Sequence, residues 1–77
     1  MQEEVHPTEV HILADPQRFK EDTRLLKGSQ VFVARDGERV LLVVADFDAG
    51  HGHHVRLTPT AAESVAAELA RVAAEVR

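Results

Sequence analysis

The sequence predicts an α+β fold, in which a small antiparallel sheet carries one short helix and an amphipathic, alanine-rich helix at the C-terminus. Two apolar, β-branched runs flank an Asp-Gly dipeptide at residues 36–37, a strong signal for a β-hairpin. Alanine and valine recur at helical spacing over residues 61–76. A length of 77 residues allows one domain with one small core. The predicted order of elements is β-α-β-β-β-α.

The N-terminal residues are predicted to form an arm and a first strand. Residues 1–7 carry charge without an apolar period, so we expect a mobile arm followed by a single domain over residues 8–77. A short strand fits the alternation from Thr8 to Ala14, with Val10 and Ile12 on the same face.

A short helix is predicted to follow this strand. Asp15 can cap its first amides, and Pro16 fits its first turn. Phe19 and Leu26 lie on one side of the helix, and Gly28 can provide a left-handed end. A loop with a bend is the alternative for this segment. Its basic residues are Arg18, Lys20, Arg24 and Lys27.

The hairpin is the clearest element of the sequence. Its predicted strands are residues 30–34 and 39–45, joined through residues 35–38. A loop over residues 47–52 then interrupts the chain, and residues 53–57 are expected to form a third strand of the hairpin sheet.

The last helix is predicted to begin at Thr58-Pro59 or at Thr60, since Thr60 and Glu63 have the spacing of a capping box. One side of this helix, named the apolar stripe, consists of Ala62, Val65, Ala66, Leu69, Val72, Ala73 and Val76. Beside it lies an alanine stripe, formed by Ala67, Ala70 and Ala74. Helix propensity alone explains the alanine stripe, and a close helix–helix contact is the alternative.

The central strand indicates self-association because it is apolar on both faces. Two helices, one of them short, cannot cover both faces of the sheet, and soluble monomers rarely expose a large apolar patch. We therefore predict a homodimer, with an N-terminal arm folded over the sheet as the alternative. The predicted contact residues are Leu41, Val43 and Ala45 on the sheet, followed by the alanine stripe Ala67, Ala70 and Ala74.

The loop after the central strand could hold a metal ion. Zinc and similar divalent ions take imidazole nitrogen and carboxylate oxygen as ligands. Glycines at positions 50 and 52 allow the backbone to fold tightly there. A polar turn between strands is the alternative interpretation. The candidate ligands are Asp46, Asp48, His51, His53 and His54.

Several classes of function are disfavoured by composition. The chain has no cysteine, which excludes disulfides, thiolate metal sites and cysteine nucleophiles. Ser29 and Ser64 lie in no nucleophile motif, and the four glycines form no phosphate loop, so we expect no enzyme. An acidic start and the lack of a membrane-length apolar run favour a cytoplasmic protein.

Net charge weighs against nucleic acid as the partner. Nine basic and 13 acidic side chains give −4 with neutral histidines, whereas binding to phosphates needs positive charge. The sequence thus predicts a non-enzymatic protein-binding or regulatory module that self-associates and contacts another protein. A metal-binding protein using residues 46–54, and a nucleic-acid-binding regulator using the local basic face, are the alternatives.

Overall fold

In the computed structural model, residues 9–77 are described, and they form a four-stranded mixed sheet with helical segments on both of its faces. The α+β class and the C-terminal helix are confirmed in outline. The predicted arm, residues 1–7, lies outside the described residues. The elements are β1 Val10–Leu13, a 3-10 turn Pro16–Arg18, α1 Phe19–Thr23, β2 Ser29–Asp36, β3 Arg39–Asp46, β4 His51–Leu57 and α2 Pro59–Glu75.

The strands lie in the order β1-β2-β3-β4, and β2, β3 and β4 pair antiparallel. The prediction of a purely antiparallel sheet is wrong for β1, which runs parallel to β2 with Val10 opposite Val31. Residues 14–28 cross over one face of the sheet between the two strands, and a crossover of this length is what parallel neighbours require.

The β2–β3 hairpin closes through the two residues Gly37 and Glu38, with Asp36 opposite Arg39. Gly37 has a φ of +61°, and Glu38 has a negative φ. A positive φ at the first loop position alone is the pattern of a type II′ turn, which favours glycine there and matches the twist of the strands.

The first helical segment begins as predicted and ends early. Asp15 Oδ1 accepts a hydrogen bond from Gln17 N at 3.0 Å, which caps the 3-10 turn. The α-helix stops at Thr23, whose hydroxyl donates to the Phe19 carbonyl at 2.5 Å. Threonine hydroxyls that bond back in this way compete with regular helix. Gly28, with a φ of +73°, then redirects the chain into β2.

The core lies on one side of the sheet, named the covered face. Phe32 is at its centre and is only 1% exposed. Phe19 meets the Phe32 ring edge-on at 5.2 Å, and Phe47 does so at 6.0 Å. His11 stacks on the same ring at 4.9 Å. The buried apolar side chains of the covered face are Leu13, Phe32, Ala34, Leu41, Val43 and Ala45.

This arrangement overturns one prediction. Leu41, Val43 and Ala45 were expected to be uncovered, but they are 6%, 8% and 5% exposed. The first helical segment brings Phe19 onto their side of the sheet, and the loop after β3 adds Phe47. These three side chains therefore belong to the core, and the prediction chose the wrong face of β3.

Polar contacts close one edge of the covered face. Gln30 is 6% exposed, and its Oε1 accepts a hydrogen bond from His11 Nε2 at 2.7 Å. The Gln30 amide nitrogen donates to the Lys27 carbonyl at 2.9 Å. The pair connects β1, β2 and the turn before β2, so that buried polar groups have partners.

Helix α2 begins one residue after β4. Thr58 is its N-cap, since Oγ1 of Thr58 accepts from Ala61 N at 3.2 Å and the Thr58 carbonyl accepts from Ala62 N at 2.9 Å. Pro59 occupies the first helical position, where its missing N–H costs nothing. Of the two predicted starts, Thr58 is the observed one, and the capping box at Thr60 is wrong because Thr60 lies inside the helix.

Candidate interaction surface

The second side of the sheet, named the open face, is aliphatic across all four strands. Residues paired across neighbouring strands project to the same side, so the register defines its members. Along β2 and β3 they alternate with the buried residues of the covered face. Its apolar members, which are meant by the name open face below, are Val10, Ile12, Val31, Val33, Val40, Leu42, Val44, Val55 and Leu57. The register also places Ser29, Arg35, Asp46, His51 and His53 on this side of the sheet.

Solvent reaches much of this face. Ile12 is 87% exposed and Val10 is 65% exposed, both on β1. Val44 on β3 is 47% exposed, although its neighbour Val43 is only 8% exposed. Val55 on β4 is 51% exposed. The two sides of the sheet thus differ in how far other elements cover them, and they differ little in hydrophobicity.

The apolar stripe of α2 is also incompletely covered. Its first turns lie near the end of the open face, where Leu42 and Leu57 face Ala66 across an apolar groove of about 200 Å³. Farther along, Leu69 is 66% exposed, Val72 45% and Val76 79%. The distal part of the helix therefore exposes the residues that ordinarily pack against a sheet.

One helix is too narrow to cover this face. Strands lie about 4.8 Å apart, so four strands with their side chains are close to twice the roughly 10 Å width of a helix. One helix therefore leaves part of the open face uncovered, as the exposure of Ile12, Val44 and Val55 shows.

The predicted metal ligands lie around the β3–β4 connection. Asp46 Oδ1 accepts from the backbone nitrogens of Asp48 and Ala49, both at 3.1 Å, so this carboxylate holds the turn. The register places His51 opposite Asp46 and His53 opposite Val44. His54 is opposite Val43 and therefore projects to the other side.

The structure does not bring these five side chains together. His51, His53 and His54 are all exposed along an edge strand. Among residues 9–77, no group of three or more histidine, aspartate or glutamate side chains is arranged to hold a metal ion. The carboxylate of Asp46 is already bonded within the turn.

The other predicted contact groups lie in solvent. Ala67, Ala70 and Ala74 are exposed and flank the apolar stripe, so a contact through them stays a prediction. In the basic segment, Arg18 pairs with Glu21 at 3.1 Å. On the sheet, Arg56 pairs with Asp36 at 2.6 Å. Carboxylates thus neutralise part of the predicted basic surface.

Sequence reasoning missed the open face as the candidate surface. Val40, Leu42 and Val44 form one side of β3, and nothing in that strand alone tells which side is covered. The hairpin register gives a signal, because a two-residue loop after Asp36 places Phe32 opposite Val43. Phenylalanine is among the residues most often buried, so the Val43 side is the better candidate for the core.

Comparisons with known proteins add no relative. No protein-family model matches the sequence, and no curated protein or solved structure is significantly similar to it. Within residues 9–77, no helix is both long and apolar enough to span a membrane. Among residues 9–77, most of the exposed large apolar side chains lie on the open face or on the apolar stripe.

Proposed function

We propose that this protein is a non-enzymatic interaction module that acts as a homodimer, formed through its open face and the apolar stripe of α2. The observation that carries the proposal is the adjacency of two uncovered apolar surfaces. Ile12 and Val44 belong to the first, and Leu69 and Val76 belong to the second. Contiguous exposed apolar patches on small soluble proteins ordinarily mark interaction sites.

A second copy is the partner that fits these surfaces best. Each copy offers both an apolar sheet face and an apolar helix side, which are complementary to each other. Two-fold dimers are also the commonest oligomers.

The polar side of α2 limits where a partner can bind. Arg71 Nε donates to Glu68 at 2.8 Å, and Arg71 also pairs with Glu75 at 3.3 Å. These groups are more than half exposed and are well solvated. A partner that bound there would have to remove charges from water, so the apolar stripe is the favoured side.

The test uses two aspartates on the same helix. Leu69→Asp places a charge on the apolar stripe, where a partner would bury it. Ala67→Asp places the same charge on the alanine stripe and is the matched control, because both positions are exposed. We expect the mass in solution, measured by sedimentation, to fall to one chain for Leu69→Asp and to stay at two chains for Ala67→Asp.

Two results would overturn the proposal. A wild-type protein that sediments as a single chain would show that the open face has no partner of its own kind. The reverse pattern, in which only Ala67→Asp dissociates, would place the contact on the alanine stripe instead. Circular dichroism of both variants verifies that the helix is intact.

A further inference from the structure

We propose that His51 and His53 together bind one divalent transition-metal ion, as a two-imidazole chelate on the open-face side of β4. The ion belongs to the group of copper, nickel and zinc, for which imidazole is a suitable ligand. Five ligands are expected in this region from the sequence, and the register of β4 selects these two. The site lies within one chain, so the inference is independent of the homodimer.

The alternation of β4 brings these two imidazoles to the same side. Successive side chains of a strand project to opposite faces, so residues two apart are neighbours on one face, separated by roughly 6.6 Å. By register, His51 and His53 lie on the open-face side, whereas His54 projects to the covered side. Of the three histidines of β4, only His51 and His53 can therefore approach a common ion.

The spacing of the two rings suits a shared ion. A metal–nitrogen bond is about 2.0–2.1 Å long, so two nitrogens on one ion lie roughly 3 Å apart. Each ring tip then has to lean inward by roughly 2 Å from the strand spacing. Rotation about the two side-chain bonds of an exposed histidine provides a movement of this size.

Both rings are accessible and unengaged. His51 and His53 are exposed, and neither forms a hydrogen bond or ion pair with another residue in the range 9–77. His11 differs, because its Nε2 is bonded to Gln30 and its ring stacks on Phe32. No strand lies beyond β4 in the described sheet, so the outer edge is open. An ion that binds here has only water to displace.

The charges around the pair favour a cation. Asp46 is opposite His51, and directly opposite residues have Cβ atoms about 4.5–5.5 Å apart. Its carboxylate is held in place by the backbone nitrogens of Asp48 and Ala49, both at 3.1 Å. Asp48 adds a second carboxylate to the same turn. Arg56, the basic residue of β4, projects to the covered side and is engaged in an ion pair.

Two protein ligands determine the character of the site. The remaining coordination positions are taken by water, so the ion exchanges readily. Structural zinc sites use four protein ligands and contribute to folding, whereas a site with two leaves the fold independent of metal. Copper should bind more tightly than nickel or zinc, in the usual order for such ligands.

Zinc titration of the untagged full chain, followed by the ring signals of the histidines in NMR spectra, tests the site. We expect the signals of His51 and His53 to shift together and to saturate at one ion per chain, while those of His54 stay in place.

Calorimetry then compares three variants. His51→Asn and His53→Asn should each lower the affinity for zinc at least about tenfold, since loss of a mere outer partner of a ligand costs about 10–100-fold. His54→Asn is the matched control, because it lies on the same exposed strand and projects to the other side. It should retain the affinity of the wild type.

Three results would overturn the inference. The first is no shift of either ring at stoichiometric zinc. The second is an equal loss of affinity in all three variants, which would mean diffuse binding by exposed histidines. The third is saturation at one ion per two chains, which would place the ion between chains. Sedimentation without zinc measures the proposed homodimer separately, so failure of either proposal is distinguished from failure of the other.

Discussion

Val43 and Val44 are neighbours in β3 with the same side chain and opposite surroundings. Val43 is 8% exposed beside Phe32, and Val44 is 47% exposed on the open face. The alternation of a strand is the reason, since successive side chains project to opposite faces. The pair therefore offers a direct comparison of the two faces at equal chemistry.

Aspartate at these two positions should have different effects. Val43→Asp buries an unpaired carboxylate, which costs several kcal/mol, whereas a chain of 77 residues has about 4–12 kcal/mol of stability in total. We expect Val43→Asp to lose its cooperative unfolding transition in urea. Val44→Asp should keep the circular dichroism of the folded chain and sediment as a single chain. Two folded variants with unchanged mass would contradict the assignment of the faces.

At the scale of single residues, the sequence predicts that β3 is apolar on both sides and that one side needs a covering partner. The sequence of β3 alone does not show which side, because Leu41 and Val43 are as apolar as Leu42 and Val44. The signal comes from the hairpin register, which places Phe32 opposite Val43. Phe19 and Phe47 cover the side of β3 that carries Leu41 and Val43. Their contacts with Phe32 join segments that are distant in the chain. Pattern within one strand carries no information on such contacts.

Among the elements, α2 depends on the cap at Thr58. Its Oγ1 satisfies the free amide of Ala61, and its position fixes where the helix leaves β4. Thr60 has the same side chain and is the second residue of the helix. The two threonines therefore separate a capping role from a general effect of removing a hydroxyl.

Thr58→Ala should lower the free energy of unfolding by about 0.5–2 kcal/mol, as expected for the loss of an N-cap. Thr60→Ala should leave it unchanged or slightly higher, since alanine is the better helix former. Urea denaturation, followed by circular dichroism in the helix band at about 222 nm, measures the free energy of unfolding of both variants. Equal losses in the two variants would refute the role of Thr58 as the cap.

The elements differ in how far the sequence predicts them. The hairpin follows from local signals, since Gly37 meets the φ requirement of its turn. The long helix likewise follows from its period. The direction of β1 does not, because a short strand without a tight turn can pair in either orientation. The early end of α1 depends on a back-bond from Thr23 that competes with helix formation.

The whole molecule is a thin plate rather than a sphere. Its radius of gyration is 13.5 Å, against roughly 11.5 Å expected for a compact chain of this length. Its dimensions are 35 × 34 × 15 Å. Such a shape exposes a large share of surface for its volume, and pairing of two plates through their apolar sides reduces that share.

The mass of the unmodified chain in solution tests the central claim most directly. Sedimentation equilibrium on untagged protein, carried out at tens of micromolar and again after tenfold dilution, reports the mass without assuming a shape. Two chains covering each other's open faces predict a mass twice the 8.5 kDa of one chain. A mass of 8.5 kDa at the higher concentration would contradict the claim, since the open face would then meet water in the isolated chain.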